Sequence, residues 1–122
     1  MKLEEHKNLS EEMKLEEHIR AIERTKITII IFSKLYTEST CCLLELEKII
    51  ECHKSFGQIV LPVFYEIEAF DVRHRRNDFG KVLEETANKS YSGELVEHAL
   101  SRWSRALTTA AGITGWEARD FR

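Results

Sequence analysis

The chain has 122 residues, enough for one domain and too few for two, with 43% hydrophobic and 32% charged residues. That balance is ordinary for a soluble globular protein. A formal net charge of -3, without a basic cluster or a long single-sign run, points away from nucleic-acid and membrane partners. The longest apolar run, Ile29 to Phe32, is far too short to span a bilayer.

The chain opens on a charged segment in which Met-Lys-Leu-Glu-Glu-His occurs at Met1 to His6 and again at Met13 to His18. Two copies do not make a solenoid, and a local duplication is the plain reading. Residues 1–12 are expected to be a charged N-terminal segment, frayed helix or disorder, ahead of a domain over 13–116, with 117–122 as a polar tail. With such a charged start, no signal peptide is expected. Leu15, Ile19 and Ile22 then recur at helical spacing and predict an amphipathic helix ending near Arg24. Ile27 to Phe32 is β-branched and apolar on both faces, which reads as a strand covered on two sides.

Cys42, Leu43, Leu46, Ile49, Ile50 and His53 fall on one arc of the next helix at about 100° per residue. Glu47, Lys48 and Glu51 lie opposite, toward water, and Gly57 is placed to end the helix in a left-handed turn. Ile59 to Tyr65 is a second strand, in which Pro62 removes a ladder donor and favours an edge or a bulge. Helices over Asp78 to Asn88 and Leu95 to Ala111 follow, the latter with Val96, Leu100, Trp103, Leu107 and Ala110 in register. Asp71-Val72-Arg73 reads as a turn with a surface ion pair. Alternation of strands and helices means βαβ units and a parallel sheet, an α/β fold. Two strands are fewer than such a sheet normally has, so the chain reads as part of a domain.

Three cysteines, Cys41, Cys42 and Cys52, are an odd count without a Cys-x-x-Cys pair. Reduced thiols in a cytoplasmic protein are the expectation. The five histidines stand at scattered spacings, and no metal site is expected.

Several stretches together resemble one family. They are Ala21 to Ile27 running into Ile31-Phe32-Ser33-Lys34-Leu35-Tyr36, then Ser39-Thr40-Cys41-Cys42-Leu43-Leu44-Glu45-Leu46, and Leu61-Pro62-Val63-Phe64-Tyr65 followed by Asp71-Val72-Arg73. Trp103 with Arg105-Ala106-Leu107, then Gly115-Trp116, continues the pattern. In order and spacing they resemble plant-type Toll/interleukin-1 receptor (TIR) domains of disease-resistance proteins. The resemblance implies a flavodoxin-like fold, a parallel sheet flanked by helices, here without the family's first strand, first helix and second strand. It departs from the family at Cys41, where a Trp is usual, at Leu44, where an Asp is usual, and at Ala69, where a Pro is usual. With the central first strand missing, Ile27 to Phe32 would be an unpaired apolar edge, and poor solubility of the isolated chain is expected.

By the same resemblance, Glu45 matches the family's catalytic glutamate. The activity implied is NAD+ hydrolysis, as an NAD+ nucleosidase or ADP-ribosyl cyclase, in plant defence signalling, with NAD+ as substrate, no cofactor, and other TIR domains as partners. Glu45 lies on the flank of its helix's apolar arc, where a carboxylate is partly desolvated or snorkels to water. Ser39 and Cys42 stand where they could line the substrate pocket. Alternatively Ser39 caps the helix and Cys42 packs as a small apolar residue. Trp103 reads as core rather than as a stacking platform. The competing function is a catalytically inactive interaction module.

Overall fold

The computed structural model describes residues 14–24 and 26–113, and the backbone of 116–117. The charged N-terminal segment and the end of the tail lie outside the described residues. Residues 14–24 are helical (α1). Then come β1 (Ile27–Phe32), a 3-10 turn at Tyr36–Glu38, α2 (Thr40–Phe56), β2 (Ile59–Phe64), α3 (Ala69–His74), α4 (Asn77–Ser90), α5 (Glu94–Gly112) and β3 (Trp116–Glu117). The sheet order is β1-β2-β3, with both pairings parallel.

β1 and β2 pair without a bulge, from Ile27 opposite Ile59 to Phe32 opposite Phe64. The Ile59 amide donates to the Lys26 carbonyl and the Tyr65 amide to the Phe32 carbonyl, each at 2.8 Å. Odd-numbered β2 amides therefore face β1, and even-numbered positions face the other edge. Pro62 is even-numbered, and pairing with β3 starts only at Val63. Among the described residues its missing N–H thus removes no ladder bond, so a buried proline sits inside the middle strand rather than at the expected edge or bulge.

Side chains alternate across the sheet. Ile30 and Phe32 of β1 and Val60, Pro62 and Phe64 of β2 point into one core, where the Phe32 and Phe64 rings stack at 5.6 Å between centroids. Each fully buried Phe side chain contributes about 1.5–3 kcal/mol. The opposite face behaves differently. Ile27, Ile29 and Ile31 are exposed, as is Ile59. The two-sided cover expected for β1 is absent among the described residues: the helices gather on one face of the sheet.

α2 follows its expected pattern, with Leu43, Leu46, Ile49 and Ile50 buried and Gly57 left-handed at φ 67°. Cys52 is also buried, and burial pushes its thiol pKa up. Glu47, however, is only a quarter exposed. Its two carboxylate oxygens accept from Arg102 Nε and Trp103 Nε1, each at 3.0 Å. α5 docks on that side of α2, so a carboxylate that is outward for an isolated helix becomes the clamp between two. It also satisfies the indole of a fully buried tryptophan, which would otherwise leave a donor unpaired. Ile22 anchors α1 in the core, and Lys48 bridges Glu23 of α1 (3.2 Å) and Glu51 (3.3 Å).

Asp71, Val72 and Arg73 form part of α3 rather than a turn with an ion pair. Val72 is buried and Arg73 donates to the Ala111 carbonyl at 3.3 Å, tying α3 to α5. α3 ends at Arg75, itself left-handed at φ 49°. The Arg75 carbonyl comes so close to α4 that a Cβ on Gly80 would lie 2.0 Å from its oxygen. No described helix is long and apolar enough to cross a membrane.

Gly80→Ala is expected to destabilise the fold by about 1–3 kcal/mol, because backbone rather than a side chain must give way. Glu47→Ala should cost a similar amount, about 1–3 kcal/mol, by stranding the Trp103 donor, whereas Glu47→Gln, which keeps an acceptor, should cost less. Urea melts of the three variants against wild type check both figures.

Candidate functional site

The segment between β1 and α2, together with the first two turns of α2, carries the candidate site residues. The segment itself is short, polar and held from below. Thr37 is fully buried, and its hydroxyl donates to the Phe79 carbonyl at 3.1 Å. The Thr86 hydroxyl in turn donates to the Thr37 carbonyl at 2.6 Å. These reciprocal bonds fasten the 3-10 turn to α4 in the dry interior, where an unmade hydrogen bond would be costly. Thr40 and Ser90 add a hydroxyl pair at 2.6 Å on the surface.

From that turn, Tyr36, Ser39, Cys42 and Glu45 follow at three-residue intervals. The Tyr36 ring meets Phe32, the last residue of β1, edge-on at 4.8 Å, and its hydroxyl donates to the Cys42 carbonyl at 3.3 Å. Burial first, and then electrostatic repulsion from the neighbouring Cys42 and Glu45, hold the Tyr36 phenol well above its ordinary range. It is therefore a neutral donor beside the helix. The Ser39 hydroxyl accepts from the Cys42 amide at 3.1 Å, the N-cap of α2. Of the two readings open for Ser39, capping is the one this bond makes. Cys42 is half-buried.

Glu45 lies in the second turn of α2, with a quarter of its side chain exposed and Oε1 at 3.4 Å from His18 Nδ1 of α1. The contact is an ion pair only when the imidazole is protonated. The carboxylate is thus at a boundary, neither sealed in the core nor free on the surface. The fold brings Ser39, Cys42 and Glu45 to one side of the first two turns of α2, at the carboxyl end of β1. In open α/β sheets that end is where ligands bind. Tyr36 and His18 join them without having been singled out as site residues. Tyr36 lay within the stretch that carries the resemblance, but its bond to the Cys42 carbonyl depends on where the 3-10 turn folds back.

A cleft lined by described residues lies beyond the same strand ends. It encloses about 550 Å³ among Lys34, Leu35, Glu66, Ile67, Asp71 and Arg76, with part of α4. Glu45 does not line this cleft. Trp103 is core, against Tyr91 at 5.9 Å between centroids. No group of three or more His, Cys, Asp or Glu among the described residues is arranged to hold a metal ion.

A family model for the TIR domain matches residues 5–122. The chain belongs to the TIR family. This TIR chain is 37% identical over 114 residues to the disease resistance protein RPS6 of Arabidopsis thaliana, covering 93% of the chain and 9% of that protein. It is 43% identical over 99 residues to RPP5 of the same plant (81% of the chain, 7% of that protein). To RUN1 of Vitis rotundifolia it is 39% identical over 107 residues (85% of the chain, 8% of that protein). Among solved structures it is similar to the TIR domains of the activated Roq1 resistosome directly recognising the pathogen effector XopQ. The TM-score is 0.73 at 36% identity, with 86% of this TIR chain and 61% of that one covered. The chain thus spans less than a tenth of the resistance proteins it matches and under two thirds of the Roq1 TIR chain.

Thr37→Val is expected to lower stability by about 1 kcal/mol in urea melts, the value of one buried hydrogen bond. At high pH the unfolded chain releases the Tyr36 proton first, near the ordinary value of 10.0. The contribution of this phenol to stability is therefore complete below about pH 10 and declines as pH rises further. Lys48, raised by its hydrogen bonds to Glu23 and Glu51, acts in the same direction. Tyr36→Phe should reduce the alkaline decline, read from urea melts at about pH 8 and about pH 11, without abolishing it.

Proposed function

We propose that this chain acts in plant immune signalling in the cytoplasm as a TIR domain, and that Glu45 is the carboxylate that works on NAD+. The observation that carries the reading is the placement of Glu45: partly buried, at the carboxyl end of a parallel strand, in line with Ser39 and Cys42 and beside a neutral Tyr36. Its similarity to plant disease resistance proteins supports the same reading.

The reaction proposed is cleavage of the bond between nicotinamide and ribose. The bonding electrons leave with nicotinamide, which departs neutral and needs no proton. Positive charge develops on the ribose. A fixed carboxylate beside it stabilises that charge, and the partial burial of Glu45 strengthens the effect relative to water. Glycosidases that must protonate their leaving group use two carboxylates; here one suffices. Water attack yields ADP-ribose and internal attack a cyclic product. Ser39 keeps its hydroxyl at the helix cap and Cys42 its partial exposure, so either can border the substrate without leaving its structural role.

A second reading is a non-enzymatic interaction module. The exposed isoleucines of the sheet and the similarity to a resistosome TIR domain favour it. Incubating concentrated chain with NAD+ and following free nicotinamide separates the two. The enzyme reading expects release that falls by about 100-fold or more in Glu45→Ala, the scale of losing one preorganised electrostatic group. Absence of release, together with co-purification of a full-length TIR protein, would leave the module.

A further inference from the structure

The cleft beyond the strand ends stands apart from Glu45 and holds more charge than the fold uses. Three cations line it: Lys34 after β1, Arg76 ahead of α4 and Lys81 on α4. Four carboxylates line it too, Glu66, Asp71, Asp78 and Glu85. None of these groups forms an ion pair with a described residue, so opposite charges around the cleft lie more than 4.0 Å apart. Leu35, Ile67, Phe79 and Val82 give the cleft its apolar wall. Its volume of about 550 Å³ falls within the roughly 300–1,000 Å³ of small-molecule sites.

Arg76 is the group most plainly set for a ligand. Its guanidinium carbon lies 5.3 Å from the centroid of the Phe70 ring, and the same ring meets His74 at 4.4 Å. Stacking steadies the guanidinium plane and leaves its N–H fork open. That fork donates to no described residue. Its geometry matches a carboxylate, which it can hold through two parallel bonds. Glu66 and Asn77, which also line the cleft, hold left-handed φ of 55° and 56° despite their Cβ atoms. Backbone strain of this kind gathers at ligand sites.

The charges narrow the occupant. A simple anion brought to the cations meets four carboxylates, and a polyamine brought to the carboxylates meets three cations. A wholly apolar ligand would strip water from charged groups and put nothing in its place. A ligand with one charge of each sign at its ends and apolar groups between them suits every part of the lining. A free amino acid carries both charges on one carbon. A dipeptide separates them by a further residue, about 3.8 Å from Cα to Cα, which suits groups that stand apart.

We propose that this cleft binds a short zwitterionic peptide, dipeptide in size, with its carboxylate on Arg76, its ammonium among the acidic side chains and its apolar side chains against Ile67, Phe79 and Val82. The site is separate from the NAD+ reading, because Glu45 does not line the cleft.

Titration of the isotope-labelled chain with leucyl-leucine, followed by backbone amide NMR shifts, tests this. Saturable movement of the Leu35, Ile67 and Val82 signals is expected, with a Kd at or below about 1 mM. The signals of Lys54 and Thr109, which line a different groove, should stay still. Leucyl-leucine amide lacks the carboxylate and N-acetyl-leucyl-leucine lacks the ammonium. Each should bind about tenfold more weakly or worse, as should inorganic phosphate and putrescine. Arg76 is exposed, so Arg76→Gln should keep the fold. It should weaken leucyl-leucine by about tenfold and leave the amide unchanged. The proposal is overturned by an absence of saturation up to about 10 mM, or by shifts confined to other faces. Blocked peptides that bind as well as the free one, or wild-type affinity in Arg76→Gln, would overturn it too.

Discussion

The continuous parallel pairing of β1 with β2 is the constraint on which the rest of the molecule hangs. It commits every even-numbered side chain of both strands to one core and every odd-numbered one to the other side. The helices α2 and α5 need an apolar floor, and Ile30, Phe32, Val60 and Phe64 provide it. It also fixes where the chain leaves β1, and therefore where the 3-10 turn and the first turns of α2 come to lie. A slip of one residue would turn Phe32 outward and remove the platform on which Tyr36 rests.

Two kinds of polar contact hold that arrangement, and they differ in character. Thr37 and Thr86 exchange neutral hydrogen bonds with backbone in a fully buried setting, short and directional. Glu47 instead spreads one carboxylate over an indole and a guanidinium at a half-buried helix seam. The first positions the segment that carries the candidate site, and the second keeps α5 against the helix that carries Glu45. The site is thus braced through side chains that have no direct part in any chemistry at Glu45.

Much of this was legible in the sequence, and the misses have physical causes. The apolar arc of α2 and the left-handed Gly57 are local properties, set by helical periodicity and by the absence of a Cβ, and they stand in the structure as read. Glu47 was misread because periodicity describes a helix in isolation and says nothing about the tryptophan that α5 brings to it. Pro62 was misjudged for a related reason: which edge of β2 its nitrogen faces depends on pairing parity, a tertiary fact. β3 has two residues, too few for any alternation to be seen. The six residues of α3 were hidden by the turn-like composition around Asp71. Ile29 and Ile31 carried the pattern of a strand with two covers, and the described chain supplies one. Of the candidate site, Glu45 with Ser39 and Cys42 came from the resemblance, helical geometry placing Glu45 only on the flank of the apolar arc, whereas Tyr36 and His18 depended on how the turn and α1 fold back.

Cys52 has a use that its chemistry alone would not suggest. Its sulfur is sealed on the inner side of α2 and its thiolate is disfavoured, while Cys41 and Cys42 are half-buried. A small alkylating reagent therefore meets two kinds of thiol, one kind accessible in the resting protein and one that reacts only after α2 lifts from the sheet. The chain so contains its own stopwatch for that opening, wound without any added label and readable by mass alone.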